Sequence, residues 1–183
     1  MEKKTRLLCV LLALAGVCSI AAQEVQKFDI NVGDFTHLLV VDDVNVEYHC
    51  NADSTGRAVF YAHPDMANQI IFENNKKGKL SISVGTDSVF TDNIPTIVLY
   101  SAFLQSADNQ GDSTLHIRSV APAPQVNFKL IDNGKVIVDN VEATSVNVEI
   151  LTGKGDITVA GKCTSLNIKN TGKGTINTEN LVA

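Results

Sequence analysis

The chain has 183 residues, which is the length of about one domain. Hydrophobic residues make up 44% of it, which is enough apolar material for a folded core and excludes wholesale disorder. The formal net charge of −5 argues against a protein that binds nucleic acid by neutralising phosphates.

The first 22 residues have the layout of a secretory signal peptide. Three basic residues come first, and the sixteen residues 7–22 carry no charge. Small residues at Ala21 and Ala22 offer a cleavage site before Gln23. Sixteen apolar residues fall short of the roughly 20 that span a bilayer, so export is favoured over a permanent anchor.

Cleavage after residue 22 removes three basic residues and Glu2, which leaves 12 basic and 19 acidic side chains and a net charge of −7. We therefore expect an acidic protein outside the cytoplasm, in the periplasm, at the cell surface or secreted, with little attraction to anionic lipids. Lipidation at Cys18 is an alternative to simple cleavage, but Val17 stands where a small residue is expected.

Two of the four cysteines, Cys50 and Cys163, remain after cleavage. An oxidising compartment permits a disulfide between them, and two buried free thiols are the other interpretation. No CxxC or Cys/His spacing suggests zinc.

Short alternating strands dominate residues 23–100. Helical periodicity is confined to a turn or two at 64–68, where Pro64 suits a first helical position. Alternating or continuous apolar residues predict strands around four groups: Phe28, Ile30 and Val32; Val44, Val46 and Tyr48; Leu80, Ile82 and Val84; and Ile97, Val98 and Leu99.

A repeat with a period of twenty residues begins at Val126. Its three copies of an apolar–Asn–apolar–charged motif are 126–129, 146–149 and 166–169. Each copy continues to a glycine (Gly134, Gly155 and Gly174) and then to a second apolar alternation. A looser copy runs from Phe103 through Gly111 to Ile117.

Two strands and a glycine corner at a fixed period are typical of a β-solenoid. We predict an all-β, right-handed parallel β-helix-like solenoid with turns of about 20 residues over 101–183, preceded by short N-terminal strands over 23–100.

Stacking these turns has specific consequences. Alternation places one apolar set inside: Val126, Phe128, Leu130, Val146, Val148, Ile150, Leu166 and Ile168. Asn127, Asn147 and Asn167 then form an outward column that favours a ladder of side-chain amides. Beside it, Lys129, Glu149 and Lys169 form a column of alternating charge, which stabilises neighbouring strands.

The segment 151–161, LTGKGDITVAG, resembles the core motif of the GIN-domain proteins, also known as the DUF2807 family and named after auto-transporter adhesin head domains. Residues 170–176, NTGKGTI, repeat that motif one turn later, and the strand at 28–30 and the hairpin closing at 78–82 are similar too. The resemblance covers essentially the whole mature chain. It implies one secreted or envelope-associated domain, 23–183, of Gram-negative bacteria, with no established activity and no catalytic residues.

The sequence departs from this family at its end. Family members generally run on for another turn, whereas this sequence stops at Leu181–Ala183. We expect the last turn to present an open apolar edge that is covered by the N-terminal strands or by a second molecule, unless the sequence is truncated.

No motif points to catalysis, a cofactor or a metal. The four histidines, at 37, 49, 63 and 116, lack the HxxxH spacing of a metal site, and no serine lies in a GxSxG elbow. Asp42–Asp43 is interpreted as a turn. Residues 108–113 resemble a calcium loop but lack its downstream Glu, and the Gly-Lys-Gly segments at 153–155 and 172–174 lack the phosphate-loop order, so both are interpreted as polar corners.

We therefore predict no catalytic, cofactor-binding or metal-binding residues, and an exported binding or structural protein. An adhesin-like or envelope interaction module would use a sheet face or strand edge to contact a protein or glycan surface. A β-helix-type polysaccharide-active enzyme is the alternative, and it predicts carboxylates that converge in a groove. Scarce arginine, absent tryptophan and strand positions for all three tyrosines argue against it.

Overall fold

The computed structural model describes residues 24–85 and 94–183. They form an all-β fold in which a single 14-stranded sheet curls as an open half-barrel. The predicted signal peptide, residues 1–22, lies outside the described residues. Within the described ranges, no helix is long and apolar enough to cross a membrane.

The elements follow in this order: β1 Gln26–Asn31, β2 His37–Val40, β3 Val46–Cys50, β4 Arg57–Ala62, α1 Pro64–Ala67, β5 Ile70–Asn74, β6 Lys79–Val84, β7 Ile97–Ser101, β8 Ser106–Asn109, β9 Thr114–Ile117, β10 Ala123–Leu130, β11 Lys135–Ile150, β12 Asp156–Asn170, β13 Ile176–Asn177 and β14 Leu181–Val182. The predicted helical turn is confirmed as α1, with Pro64 at its start. The four strands predicted before residue 101 are β1, β3, β6 and β7.

Two columns of stacked parallel strands build the sheet. The first column consists, in order, of β6, β2, β8, β10 and the later halves of β11 and β12. One register position runs across it from β2 to β12 and is occupied by His37, Ser106, Asn127, Asn147 and Asn167. In the second column, β7, β3, β9 and the earlier halves of β11 and β12 are followed by β13. Both columns contribute to one hydrophobic core.

The twenty-residue register is confirmed where the repeat was found, because Val126 pairs with Val146 and Val146 with Leu166. A right-handed parallel β-helix is not confirmed, because the sheet is mixed. Strand β4 is antiparallel to β7, β1 to β4, and β5 to β6. The tight turn between β5 and β6 accounts for one reversal, since a parallel pair needs a long crossover connection.

The N-terminal strands also differ from the prediction in position. Strands β2, β3, β6 and β7 do not merely precede the repeats but lie inside the two columns, on the side opposite β12. They therefore do not cover the C-terminal edge, and that part of the expectation is wrong.

The interior set is confirmed for the first two repeat copies, whose six apolar residues from Val126 to Ile150 are at most 1% exposed. Leu166 is only half-buried, and Ile168 is 51% exposed. Strand β12 pairs with β11 on one side, whereas β14 reaches only Gly161 and Lys162 on the other. In the described structure, residues 163–170 are therefore an open strand edge.

The looser repeat copy begins later than predicted. Strand β8 starts at Ser106, and Ala107 and Asn109 are its core-facing residues. Phe103 lies in the loop before it, and its side chain is exposed.

A column of glycines occupies the corner between the first and second columns of strands: Gly111, Gly134, Gly155 and Gly174. A Cβ atom on any of the last three would collide with the carbonyl oxygen of the glycine one turn earlier. None of these four has a positive φ, so close approach between turns, not a left-handed backbone, is what requires glycine here.

We predict that Gly155→Ala lowers the free energy of unfolding by about 1–3 kcal/mol, the usual effect of overpacking, because its methyl group would push against Gly134. Urea denaturation of the purified chain measures this change. Gly85→Ala is the matched control, since its one close contact would be the movable end of the Gln69 side chain, and the nearest backbone atom lies at an ordinary contact distance. Equal stabilities of the two variants would contradict the account of the corner.

Candidate functional site

The outer face of the first column carries a continuous ladder of side-chain amides. Asn147 Nδ2 donates to Asn127 Oδ1 at 2.7 Å, and Asn167 Nδ2 donates to Asn147 Oδ1 at 2.8 Å. Asn127 Nδ2 donates to the carbonyl oxygen of Gln105 at 3.2 Å, which ties the ladder to the preceding turn. The predicted amide column is confirmed.

Alternating charges run beside the amides on the same face. Lys169 Nζ donates to Glu149 Oε1 at 2.6 Å, and Lys129 Nζ lies 3.8 Å from Glu149 Oε2. The Lys169 hydrogen bond, together with the charge of Lys129, holds the pKa of Glu149 below its ordinary value. The predicted charge column is confirmed. We call these three Asn and three charged residues the ladder face.

Asp108 extends the charge column by one strand, because it is in register with Lys129. Burial raises the pKa of Asp108 despite the nearby charges of Lys129, Lys79 and His37. Asp108, Lys129, Glu149 and His37 are among the residues that line a shallow depression of about 300 Å³. Sequence reasoning placed Asp108 only in a corner loop, because its spacing of 21 residues from Lys129 departs by one from the twenty-residue period of the later turns.

The outer face of the second column carries an ion-pair network around Arg118. Its Nε donates to Glu47 Oε1 at 2.9 Å, and its Nη1 donates to Asp139 Oδ2 at 3.1 Å. His49 Nε2 is 2.8 Å from Glu47 Oε1, and His116 Nε2 is 2.8 Å from Asp139 Oδ2. Glu47 and Asp139 lie 92 positions apart in sequence, which is why no local pattern predicts the network.

The Arg118 network lowers the pKa of both carboxyl groups. The hydrogen bond from Arg118 is the main reason that the pKa of Glu47 is depressed. Burial acts to raise the pKa of Asp139, but hydrogen bonds from His116 and Arg118 together outweigh it. The network links β3, β9 and β11, the central strands of the second column.

The calcium-like loop is a corner held by backbone hydrogen bonds. Asp43 Oδ1 accepts from the Asp112 N–H at 2.6 Å, Asp112 Oδ1 from the Asn133 N–H at 3.2 Å, and Asn133 Oδ1 from the Lys154 N–H at 3.1 Å. The side chain of Asn109 is buried and donates to the carbonyls of Ser113 and Lys135. The side-chain oxygen atoms of Asp43, Asp112 and Asn133 therefore join one turn to the next through hydrogen bonds.

The remaining candidates are not brought together. Cys50 and Cys163 are both free and half-buried. His37 Nδ1 lies 2.9 Å from Thr36 Oγ1, and His63 precedes α1. Across the described parts of the chain, no cluster of three or more His, Cys, Asp or Glu residues could hold a metal ion.

We predict that Asn147→Ala lowers the free energy of unfolding by about 1–2 kcal/mol, because it removes two ladder hydrogen bonds. Asn167→Ala removes only one of them and should cost roughly half as much. Thermal and urea unfolding of both variants provide the comparison. If the ladder hydrogen bonds do not stabilise the fold, the free energies of unfolding of the two variants will not differ.

Acid should weaken the Arg118 network. The pKa values of Glu47 and Asp139 are lower in the folded chain than their ordinary values of 4.5 and 3.8. The stability that this difference contributes is fully present above the ordinary values. It is lost as the pH falls through the lower pKa values of the folded state. Arg118→Gln should therefore destabilise the chain near pH 6 and do so progressively less toward about pH 3.

Urea midpoints measured across this pH range test the trend. Lys154→Gln is the control, since Lys154 forms no ion pair in the described structure. An effect of Arg118→Gln that stays constant with pH would contradict the assignment.

Several solved structures have a similar fold. A structure titled "putative adhesin" from Parabacteroides distasonis is 16% identical with a TM-score of 0.65, covering 87% of this chain and 75% of that one. A "putative lipid binding protein" from the same species is 14% identical, with a TM-score of 0.62 and coverages of 87% and 76%. A "putative adhesin" from Bacteroides fragilis is 16% identical, with a TM-score of 0.55 and coverages of 85% and 97%.

These identities establish a shared fold and nothing more. No curated protein matches the sequence. The profile of one family, described as "Putative auto-transporter adhesin, head GIN domain", matches residues 34–183. This match spans most of the chain, and the resemblance read from the glycine-rich motifs at 151–161 and 170–176 is thereby confirmed. The chain belongs to the DUF2807 family.

Proposed function

We propose that the protein is an exported, non-enzymatic binding module, adhesin-like or part of the cell envelope, that presents a stiff sheet surface to a protein or glycan partner. The ladder face carries this proposal. Its amides and charges are fixed by hydrogen bonds that cross from turn to turn, at 2.7 and 2.8 Å between the asparagines. A surface whose side chains are already ordered loses little conformational entropy when it binds.

Export follows from the predicted signal peptide at 1–22, and we propose that the mature protein is one domain, 23–183. The family of putative auto-transporter adhesin head domains and the putative adhesins among the similar structures support adhesion to a surface. One similar structure carries a lipid-binding title, so lipid belongs among the partners to be tested. The mature net charge of −7 favours protein or glycan over anionic lipid.

The open edge of β12 is the second part of the proposal. The strand has unpaired backbone groups along 163–170, and Ile168 is exposed beside them. Such an edge is a template for another strand. We propose that a second copy of the chain pairs there. Light scattering of the purified protein should show a dimer or larger species. A monomer at all concentrations would contradict the proposal that a second copy pairs at the β12 edge.

A polysaccharide-active enzyme is the second candidate, and one observation favours it. Asp108 and Glu149 line the same depression with pKa values displaced in opposite directions, which is how a general acid and base are often arranged. Both oxygens of Glu149 face lysines, however, and this neutralisation favours a structural role. The candidate predicts that sugar release by the protein is abolished in Asp108→Asn.

The proposal predicts saturable binding of the fluorescently labelled chain to fixed eukaryotic cells or to matrix-coated surfaces, with no binding to anionic vesicles. Lys169→Glu reverses the charge at the exposed end of the ladder face and should weaken binding several-fold. Lys173→Glu, at the neighbouring corner, makes the same charge change and should bind like the unaltered chain.

Unfolding curves establish that both variants fold. The binding proposal fails if the unaltered chain shows no saturable binding, or if it releases reducing sugars from polysaccharides in an Asp108-dependent manner. If Lys169→Glu and Lys173→Glu weaken binding equally, the effect is one of net charge, and the ladder face is not the binding surface.

A further inference from the structure

A groove beside the ladder face contains an aromatic side chain that the fold holds out of the core. Phe103 lies between β7 and β8 and is 58% exposed, whereas the next residue, Leu104, is 1% exposed. A single exposed apolar side chain is ordinary, whereas apolar residues that together line a groove often mark a binding site.

Buried polar contacts fix the loop that carries Phe103. Ser101 is fully buried, and its Oγ donates to the carbonyl oxygen of Phe103 at 2.9 Å. The hydroxyl of Tyr48, also fully buried, lies 2.9 Å from the same Oγ. On the far side of the loop, the Gln105 N–H donates to the carbonyl oxygen of Thr36 at 2.7 Å. These hydrogen bonds hold the backbone on both sides of Phe103, while its aromatic ring is exposed.

The ring borders a groove of about 460 Å³, within the range of roughly 300–1,000 Å³ that small-ligand sites occupy. Pro122 and Pro124 add apolar surface, and Gln105 and Gln125 add amides. No Asp, Glu, Lys or Arg lines this groove. In the described structure the side-chain amide of Gln105 makes no hydrogen bond, so both its donors and its acceptor are available to a ligand.

We infer that this groove binds a neutral oligosaccharide, an inference that rests on the proposed binding function and names its ligand class. A sugar ring has an apolar C–H face that packs on an aromatic ring. Its hydroxyl edge both donates and accepts, as side-chain amides do. The lining has no carboxylate, ammonium or guanidinium group, and His37 is its one titratable side chain, which favours neutral over sulfated or sialylated sugars. A proline-rich peptide fits less well, because such ligands use grooves lined by several aromatic residues, and Phe103 is the aromatic residue here.

The test is titration of the full chain with three neutral hexasaccharides: maltohexaose, cellohexaose and mannohexaose. Heparin hexasaccharide and decaproline are titrated separately, as a charged sugar and a proline-rich peptide. Isothermal calorimetry measures affinity, and NMR follows the side-chain amide signals of Gln105 and Gln125. We expect a neutral hexasaccharide to bind and to shift both amide signals. Phe103→Ala should weaken binding roughly tenfold, and Phe103→Trp should preserve it.

Tyr61→Ala is the matched control, because Tyr61 is an equally exposed aromatic residue, at 62%, that does not line the groove. Binding of heparin or decaproline alone, absence of binding by every neutral hexasaccharide, or equal effects of Phe103→Ala and Tyr61→Ala would overturn the inference.

The cell-binding assay separates this inference from the proposed function. If the chain binds cells but no neutral hexasaccharide, and Phe103→Ala binds cells normally, the groove is not the site while the binding function stands. If the unaltered chain binds no cell or matrix surface, the proposed function itself fails.

Discussion

The fold depends on how closely successive turns can approach at one corner. Gly134, Gly155 and Gly174 each lie against the carbonyl oxygen of the glycine one turn earlier, with no room for a Cβ. This contact allows the strands on both sides of the corner to stay in hydrogen-bonding register over several turns. The amide ladder and the alternating charges follow from that register, because equivalent residues of successive turns then lie side by side.

Much of the C-terminal half could be predicted, because its repeat is local and regular. A period of twenty residues and strict alternation were sufficient to place Asn147 outside and Val148 inside. The N-terminal half has no such period. The positions of β2 and β6 within the first column depend on pairing between residues far apart in sequence, such as Leu38 with Ala107. An open edge on the last turn was expected, but Ile168 was predicted to lie inside and is 51% exposed. The lack of cover from the N-terminal strands could be learned only from the topology.

The candidate surfaces were predicted less completely than the fold. The ladder face was found because it belongs to the repeat. The Arg118 network depends on residues from three non-consecutive strands, and no local pattern connects them. The repeat pattern places Phe103 at the start of the looser copy, because from sequence alone an apolar residue near the right spacing cannot be distinguished from one in a loop. What exposes it is the buried Ser101–Tyr48 contact, which fixes the loop in another direction.

In this stack one outer face serves both stability and the proposed recognition, because the ladder hydrogen bonds join successive turns. Glycine corners, buried strands and paired charges hold the molecule together, and the ladder face, the β12 edge and the Phe103 groove remain available to partners. The central proposal is the adhesin-like one, in which these surfaces act outside the cell, and a partner within the envelope is its alternative. Antibody labelling of a C-terminal tag on intact, unpermeabilised cells, combined with protease shaving, tests it most directly. The account predicts labelling and shaving of intact cells. Labelling that appears only after the outer membrane is opened would contradict it and place the partner inside the envelope.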